Sequence, residues 1–216
     1  MSDHAPDSAP AAAPPAGAPP DADDRSVSML AANVLALAMV LPVAAAAVWA
    51  FAALWGWGAL NDGVDAWFDA WTALIGALVG GTLVHEMLHA LAWRAMGVPR
   101  GRVRLGFSWR ALTPYAHADV PMPARSYRIG AMTPGIAIGL IPLAFALVRG
   151  GPMLFWFGLL FTVAAGGDAL ILWLLRGVPP EAPVQDHPTR AGCLVLPAYD
   201  LAAASHPTEA PTSTPR

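Results

Sequence analysis

Long apolar segments that carry almost no charge constrain the fold of this chain more than any other feature of its sequence. About 20 apolar residues are enough for a helix to cross the hydrocarbon core of a bilayer. The chain is 56% hydrophobic and 12% charged, whereas a soluble domain carries about 25% charged residues. We therefore predict an all-α integral membrane protein with about four transmembrane helices, over residues 29–55, 70–93, 129–148 and 152–175.

The segments outside these spans differ in composition. Residues 1–28 are rich in Ala, Pro and Asp, and residues 179–216 are rich in Pro, Ala and Thr. Such segments bury too little apolar area to offset their ordering entropy. We therefore expect a disordered N-terminal tail and a largely disordered C-terminal tail around a membrane domain at residues 29–178. Between the first two spans, residues 61–65 predict a turn-rich polar loop.

Residues 98–128, between the second and third spans, form a basic insert. The segments 103–107 and 115–120 alternate apolar with polar or small residues, and Thr113 and Pro114 lie between them. This pattern predicts a short β-hairpin between helices 2 and 3. An irregular basic loop is the alternative interpretation of the same residues.

The arginines predict the topology, because the chain contains no lysine. If both termini lie on one side of the membrane, Arg149 alone among the 12 arginines lies on the other side. Short loops with an excess of positive charge face the cytoplasm. We therefore predict a multi-pass protein of a bacterial-type plasma membrane with both termini in the cytoplasm.

The second span contains the motif His85-Glu86-Met87-Leu88-His89. Residues four apart lie on one helix face, with Cβ atoms roughly 5–6 Å apart, so two imidazoles can converge on one zinc ion. Glu86 points about 100° away around the helix axis. That direction suits a general base that acts on a water molecule beside the metal. The motif therefore predicts zinc on His85 and His89, with Glu86 as the catalytic residue.

A catalytic zinc usually has three protein ligands and one open position. Asp168 is our candidate for the third ligand, because it is the only acidic residue in spans one, three and four. A carboxylate that only packs against a neighbouring helix is the alternative. His117 in the insert and Asp186 in the C-terminal tail remain alternative ligands, although an exposed histidine and a loop turn also explain them.

The predicted topology places the motif and Asp168 at a similar depth. His89 precedes Arg94, and Asp168 precedes Arg176, at the cytoplasmic ends of their spans. At about 1.5 Å per helical residue, the two side chains start roughly 8 and 12 Å from that boundary. We therefore expect the active site to lie near the cytoplasmic leaflet.

Short motifs around and beyond the histidine pair carry a resemblance to a known family. They are His85-Glu86-Met87-Leu88-His89-Ala90-Leu91 with Gly97, Arg125-Ser126-Tyr127-Arg128, Pro134, Gly167-Asp168, Asp186-His187-Pro188 and Gly192. Over roughly residues 70–195 the chain resembles site-2 protease-type intramembrane zinc metalloproteases, and more closely the small bacterial membrane proteins called putative zincin peptidases. The resemblance implies zinc on His85, His89 and Asp168, a catalytic Glu86, and cleavage within or beside the membrane.

The chain departs from the site-2 protease pattern near Asp168. In that family an asparagine and a proline precede the ligand aspartate, and a glycine follows it. Here Ala169 follows Asp168, and Asn33 and Asn61 are the only asparagines. The asparagine that assists the oxyanion in that family therefore has no counterpart, and such a donor contributes roughly 10²–10³ in rate.

These observations favour a zinc-dependent endopeptidase that acts on membrane-anchored proteins or peptides. The alternative is a non-hydrolytic zinc-binding scaffold or chaperone-like protein, which has no need of Glu86. A transport role is disfavoured because spans one and three are almost entirely apolar. The net charge of −3 argues against nucleic acid as a partner. The single Cys193 excludes an intramolecular disulfide and a cysteine-based metal site.

Overall fold

Four helices that are long and apolar enough to cross a membrane dominate the fold. The structure, a computed structural model, describes residues 21–108, 113–118 and 120–197. Within these residues the candidate spans are Met29–Trp55, Trp71–Ala95, Ala124–Arg149 and Pro152–Leu174. The predicted fold class is confirmed, including the small β-hairpin between the second and third spans. Predictions for the tail residues 1–20 and 198–216, and for Arg110, concern residues outside the described ranges.

The first span is one continuous helix. Strand β1 (Asp23–Val27) precedes helix α1 (Met29–Trp55). The helix begins where the Ser28 hydroxyl accepts a hydrogen bond from the Ala31 amide at 3.3 Å, which is the usual role of serine at this position. It ends at Gly56, whose φ of 87° suits glycine.

A second helix occupies the region that we predicted as a polar loop. Helix α2 (Trp57–Asp69) includes residues 61–65, so that prediction is wrong. Packing overrides the turn propensity of these residues, because α2 buries Leu60 and Gly63. A Cβ atom at Gly63 would lie 2.7 Å from the Cβ atom of Pro152. Glycine therefore allows α2 to pack directly against the fourth span.

Helix α3 forms the second span, and the third and fourth spans are interrupted. Helix α3 is Trp71–Ala95. The third span consists of helix α4 (Ala124–Pro134), a π-helical segment (Gly135–Leu140) and helix α5 (Ile141–Arg149). The fourth span consists of helices α6 (Pro152–Ala164) and α7 (Gly166–Leu174). The third span thus begins before residue 129, where we predicted its start, because α4 continues into the polar segment ahead of the apolar residues.

Glycine allows the third and fourth spans to pack closely. A Cβ atom at Gly158 of α6 would overlap the backbone of Leu143 in α5. Beside this contact, the fully buried rings of Phe51 and Phe155 lie with their centroids 4.4 Å apart. This cluster joins α1 to the third and fourth spans at the end of the bundle remote from the histidine motif.

The basic insert contains the predicted hairpin. Strands β2 (Val103–Ser108) and β3 (Thr113–Ala118) pair antiparallel. The hairpin prediction is confirmed, but Thr113 and Pro114 belong to β3 and not to the connection. Both strands pack against α3, and Ala118 is buried. The hairpin therefore lies against the helix that carries the histidine motif.

A second sheet includes segments that we predicted to be disordered. Strand β4 (Met122–Pro123) pairs with β5 (Pro183–Asp186), β5 with β6 (Ala191–Val195), and β6 with β1, all antiparallel. The expectation of disorder is therefore wrong for β1, β5 and β6. Val184 and Cys193 are fully buried in this sheet. The short strands therefore bury apolar side chains, although the average composition of the tails is rich in proline and in small or polar residues.

The single cysteine lies inside this second sheet. Cys193 of β6 pairs with Asp186 of β5. Burial, together with the neighbouring Asp186 carboxylate, raises the pKa of the Cys193 thiol to about 12. Because the thiolate is the reactive form, the thiol is unreactive as long as the sheet is intact.

The second sheet also fixes which segments share one end of the bundle. It joins residues that precede α1, residues that precede α4 and residues that follow α7. Helix α2 and the turn between α5 and α6 lie at the opposite end, where Trp67 Nε1 donates to the Met153 carbonyl at 3.0 Å. Both described chain ends therefore lie on the same side as the hairpin.

Arg128 ties α4 to the end of α7. Its guanidinium donates to the carbonyls of Leu175 and Val178, each at 2.6 Å. Carbonyls at a helix C-terminus lack partners within the helix, and basic side chains often satisfy them. Arg128 therefore fixes α7, which carries Asp168, against α4.

Replacing Gly158 by Ala is expected to lower the unfolding temperature of the protein in detergent. The added methyl group would overlap the backbone of Leu143, and overpacking of this kind costs roughly 1–3 kcal/mol. Gly76→Ala on α3 is the control, because a Cβ atom there meets nothing within 4 Å. Equal unfolding temperatures for the two variants would contradict this packing.

Candidate metal centre

Helix α3 presents two imidazoles towards the interior of the bundle. His85 and His89 lie one helical turn apart, so they share a face. They are 8% and 7% exposed, respectively, and their ring centroids lie 5.0 Å apart. Glu86, the next residue after His85, is only partly buried. The helix thus separates the two histidines from the glutamate, as the sequence predicts.

The fourth span brings a carboxylate against both imidazoles. Asp168 lies in the first turn of α7. Its Oδ2 atom lies 3.2 Å from Nε2 of His85, and its Oδ1 atom lies 3.3 Å from Nε2 of His89. Among the described residues, these three form the only group of His, Cys, Asp or Glu side chains placed to hold a metal ion, with ligand atoms within 4.8 Å of one another.

The spacing of these atoms fits a metal ion. Zinc binds nitrogen and oxygen ligands at about 2.0–2.2 Å, which places neighbouring ligands of a tetrahedral centre roughly 3.3–3.5 Å apart. The distances of 3.2 and 3.3 Å between Asp168 and the two histidines lie close to this value. Three protein ligands also leave a fourth position open, as in catalytic centres.

A hydrogen bond orients His89 for metal binding. Nδ1 of His89 lies 3.0 Å from the carbonyl oxygen of Gly130, and a carbonyl can only accept, so Nδ1 carries the proton. Nε2 then directs a lone pair towards an oxygen of Asp168, and a metal ion held by these two residues would stabilise that arrangement. Metal-binding histidines usually make such a bond with their second nitrogen.

Close contact between α3 and α4 makes this hydrogen bond possible. Trp93 is buried and stacks on His89, with ring centroids 5.6 Å apart. A Cβ atom at Gly130 would overlap the Trp93 indole. Glycine at this position therefore lets the α4 backbone reach His89 past the tryptophan ring.

A cavity of about 270 Å³ opens beside the three side chains. Glu86 lines this cavity together with Tyr115 and Ala116 of β3. The Ala116 amide donates a hydrogen bond to the Glu86 carboxylate. The hairpin thus holds the side chain that the sequence predicts as the general base, on a cavity wall and outside the group of metal-binding side chains.

The alternative third ligands are bonded to each other. Nδ1 of His117 lies 2.7 Å from Oδ2 of Asp186, and the Tyr127 hydroxyl donates to Oδ1 of the same carboxylate. Asp186 lines the cavity, but neither His117 nor Asp186 joins the group around Asp168. Nδ1 of His187 accepts two amide hydrogen bonds within its own turn, from Thr189 and Arg190.

Three residues at the site were not predicted from the sequence. Gly130 and Ala116 act through backbone groups, which side-chain patterns do not indicate. Tyr127 could have been found from the sequence, because it lies at helical spacing from Gly130, Ala131 and Pro134. All four residues are buried on one face of α4. Neither Asn33 nor Asn61 lines the cavity.

Comparison with known proteins gives one match. Residues 78–183 match a family model described as "Putative zincin peptidase". The matched segment contains His85, Glu86, His89 and Asp168, and it ends at the start of β5. A zincin family implies a bound metal ion. No curated protein and no solved structure matches the chain.

Replacing Gly130 by Ala is expected to weaken metal binding without removing a ligand. The added methyl group would displace Trp93 and disturb the bond between His89 and the residue 130 carbonyl, and loss of such outer contacts costs 10–100-fold in affinity. Metal content after dialysis against graded chelator concentrations measures the effect. Gly80→Ala on α3 is the control, because a Cβ atom there meets nothing within 4 Å. Wild-type affinity in Gly130→Ala would argue against this role.

Proposed function

Because residues 78–183 belong to the "Putative zincin peptidase" family, we propose that this protein is a zinc-dependent intramembrane endopeptidase. Its substrates are membrane-anchored proteins or peptides. The observation that carries the proposal is the convergence of His85, His89 and Asp168 from two different spans beside Glu86. A scaffold that only binds zinc gains nothing from a carboxylate at the position of Glu86.

The residues around the cavity have separate roles in the proposed reaction. A zinc ion bound there would act as a Lewis acid on the scissile carbonyl and lower the pKa of a water molecule to about 7. The Glu86 carboxylate takes a proton from the attacking water and later delivers it to the leaving amine. The Ala116 amide keeps that carboxylate turned towards the cavity.

An apolar groove supports access to the site from the lipid phase. The groove has a volume of about 400 Å³ and is lined by α1, the π-helical segment and the fourth span. Val43 and Ile136 line it and are 48% and 42% exposed, so it opens on the face of the bundle that lipid covers. Its lining includes Asp168, and Ala131 lines both the groove and the cavity. An apolar substrate segment can therefore reach the zinc site without leaving the membrane.

The hairpin supports binding of an extended substrate. A helical substrate has its carbonyls occupied by hydrogen bonds, so it must unwind before hydrolysis. An unwound segment exposes backbone groups and side chains that the cavity wall can contact. Tyr115 of β3 is 45% exposed and also lines the cavity, so a peptide that lies beside the hairpin can contact this side chain next to Glu86.

The topology that we propose places the site near the cytoplasmic face, with both termini in the cytoplasm. The second sheet and the hairpin share one end of the bundle. Among the described arginines, all except Arg149 lie in these strands, in the segments next to them or at the ends of the spans that face them. An excess of arginine favours the cytoplasmic side. His89 and Asp168 lie in the halves of their helices nearest that end.

Replacing Glu86 by Gln is expected to abolish cleavage and to leave zinc bound. Glutamine has a similar shape but cannot accept the proton, and general-base catalysis contributes roughly 10²–10⁴ in rate. Purified wild-type and variant proteins are compared for zinc content and for cleavage of a single-span reporter. Asp168→Ala is the matched variant, which should lose both zinc and activity. Cleavage by Glu86→Gln at the wild-type rate would exclude this mechanism.

Replacing Val43 by Trp tests whether substrates enter through the groove. The larger side chain narrows the groove, so kcat/KM for the single-span reporter should fall about tenfold, equivalent to roughly 1.4 kcal/mol. Cleavage of a short soluble peptide should change little. Leu41→Trp is the control, because Leu41 is 56% exposed and does not line the groove. An equal loss with both substrates would argue against entry by this route.

A further inference from the structure

The edge of strand β3 that faces away from β2 is bonded to two carboxylates from different parts of the chain. The Ala116 amide donates to Glu86, and the Ala118 amide donates to Oδ2 of Asp186 at 3.4 Å. Alternate residues of a strand point their amides to the same side, so both amides point away from β2. Pro114, two residues earlier on the same edge, has no amide proton to donate.

Asp186 makes more contacts than a loop carboxylate requires. Its Oδ2 atom also lies 2.7 Å from Nδ1 of His117, and its Oδ1 atom accepts a hydrogen bond from the hydroxyl of the buried Tyr127. The Asp186 side chain is 16% exposed. One carboxylate therefore joins β5, β3 and α4 at the wall of the cavity.

This arrangement connects Asp186 to Glu86 through the backbone between Ala118 and Ala116. Ala116 and Ala118 are neighbours on one strand edge, and each amide is fixed by one of the two carboxylates. If the Asp186 carboxylate is removed, the end of β3 loses the anchor that holds it against β5 and α4. The Ala116 amide then no longer has a fixed position relative to the Glu86 carboxylate.

We propose that Asp186 is a positioning residue for catalysis, which holds β3 so that the Ala116 amide orients Glu86. This inference rests on the proposed function. It assigns a role in the active site to the segment after the last span, because β5 supplies Asp186. Asp186 does not bind the metal and does not transfer a proton.

Asp186→Ala is expected to lower kcat by about 10- to 100-fold, because small misplacements of a catalytic group have effects of this size. Zinc content should remain at the wild-type value, since none of the metal-binding side chains is altered. Asp186→Asn should restore most of kcat. The amide oxygen can still accept from Ala118, and the amide nitrogen can donate to the Tyr127 hydroxyl oxygen.

Two controls accompany these variants. Glu181→Gln removes another carboxylate of the same segment, one that pairs with Arg125 at the surface, and should not change kcat. Protection of the buried Cys193 from alkylation reports whether the second sheet is intact, because this cysteine pairs with residue 186. If Asp186→Ala exposes Cys193, the test rests on Asp186→Asn alone.

The outcomes separate this inference from the proposed function. Wild-type kcat in a folded Asp186→Ala protein overturns the positioning role, and so does loss of zinc in that variant. An Asp186→Asn protein that stays folded and as inactive as Asp186→Ala also overturns it, because the negative charge itself would then be required. Activity in Glu86→Gln would instead remove the proposed function, whatever Asp186 does.

Discussion

The contact of Asp168 with two imidazoles is the interaction on which the rest of the structure depends. An Asp, Lys or Arg side chain in the middle of a membrane helix costs about 2.5–3.5 kcal/mol on insertion scales, and this chain places Asp168 against His85 and His89. With the His89 proton on Nδ1, its Nε2 atom and the facing Asp168 oxygen both carry lone pairs. A bound cation would turn the repulsion between these two atoms into attraction. The helices must bring these atoms to within 3.3 Å of each other, which sets how closely the spans pack.

Small residues make that close approach possible. Lipid is as apolar as the helix surfaces, so helices in a membrane associate through close packing more than through the hydrophobic effect. Gly130 allows α4 to contact Trp93 beside His89. Gly166, two residues before Asp168, lies against α1, where a Cβ atom on this residue would be 3.1 Å from Cγ1 of Val40. Glycine thus occurs on both sides of the metal centre. The same residues that set the distance between helices also set the distances between ligands.

The sequence predicted the parts of the molecule in which residue type alone fixes the outcome. The apolar spans follow from length and lack of charge, and the shared face of His85 and His89 follows from helix geometry. The helix α2 was missed because its Asn, Asp and Gly residues favour turns in isolation, whereas contact with Pro152 decides the outcome. The second sheet was missed because its strands are short and two of its three pairings join distant segments, β6 with β1 and β5 with β4. Long-range pairing of this kind leaves no local signal.

The molecule divides the proposed chemistry between two kinds of structure. The spans supply the metal-binding side chains, whose positions are fixed by rigid helix packing. Strand β3 at the bundle end supplies the Ala116 amide, which bonds to the Glu86 carboxylate. A glutamate has three side-chain torsions and lies on a helix face that its neighbouring histidines do not share, so helix packing alone does not fix its carboxylate. An amide on a strand provides that constraint, because its position depends on sheet pairing and on the carboxylate of Asp186 and not on contacts with lipid.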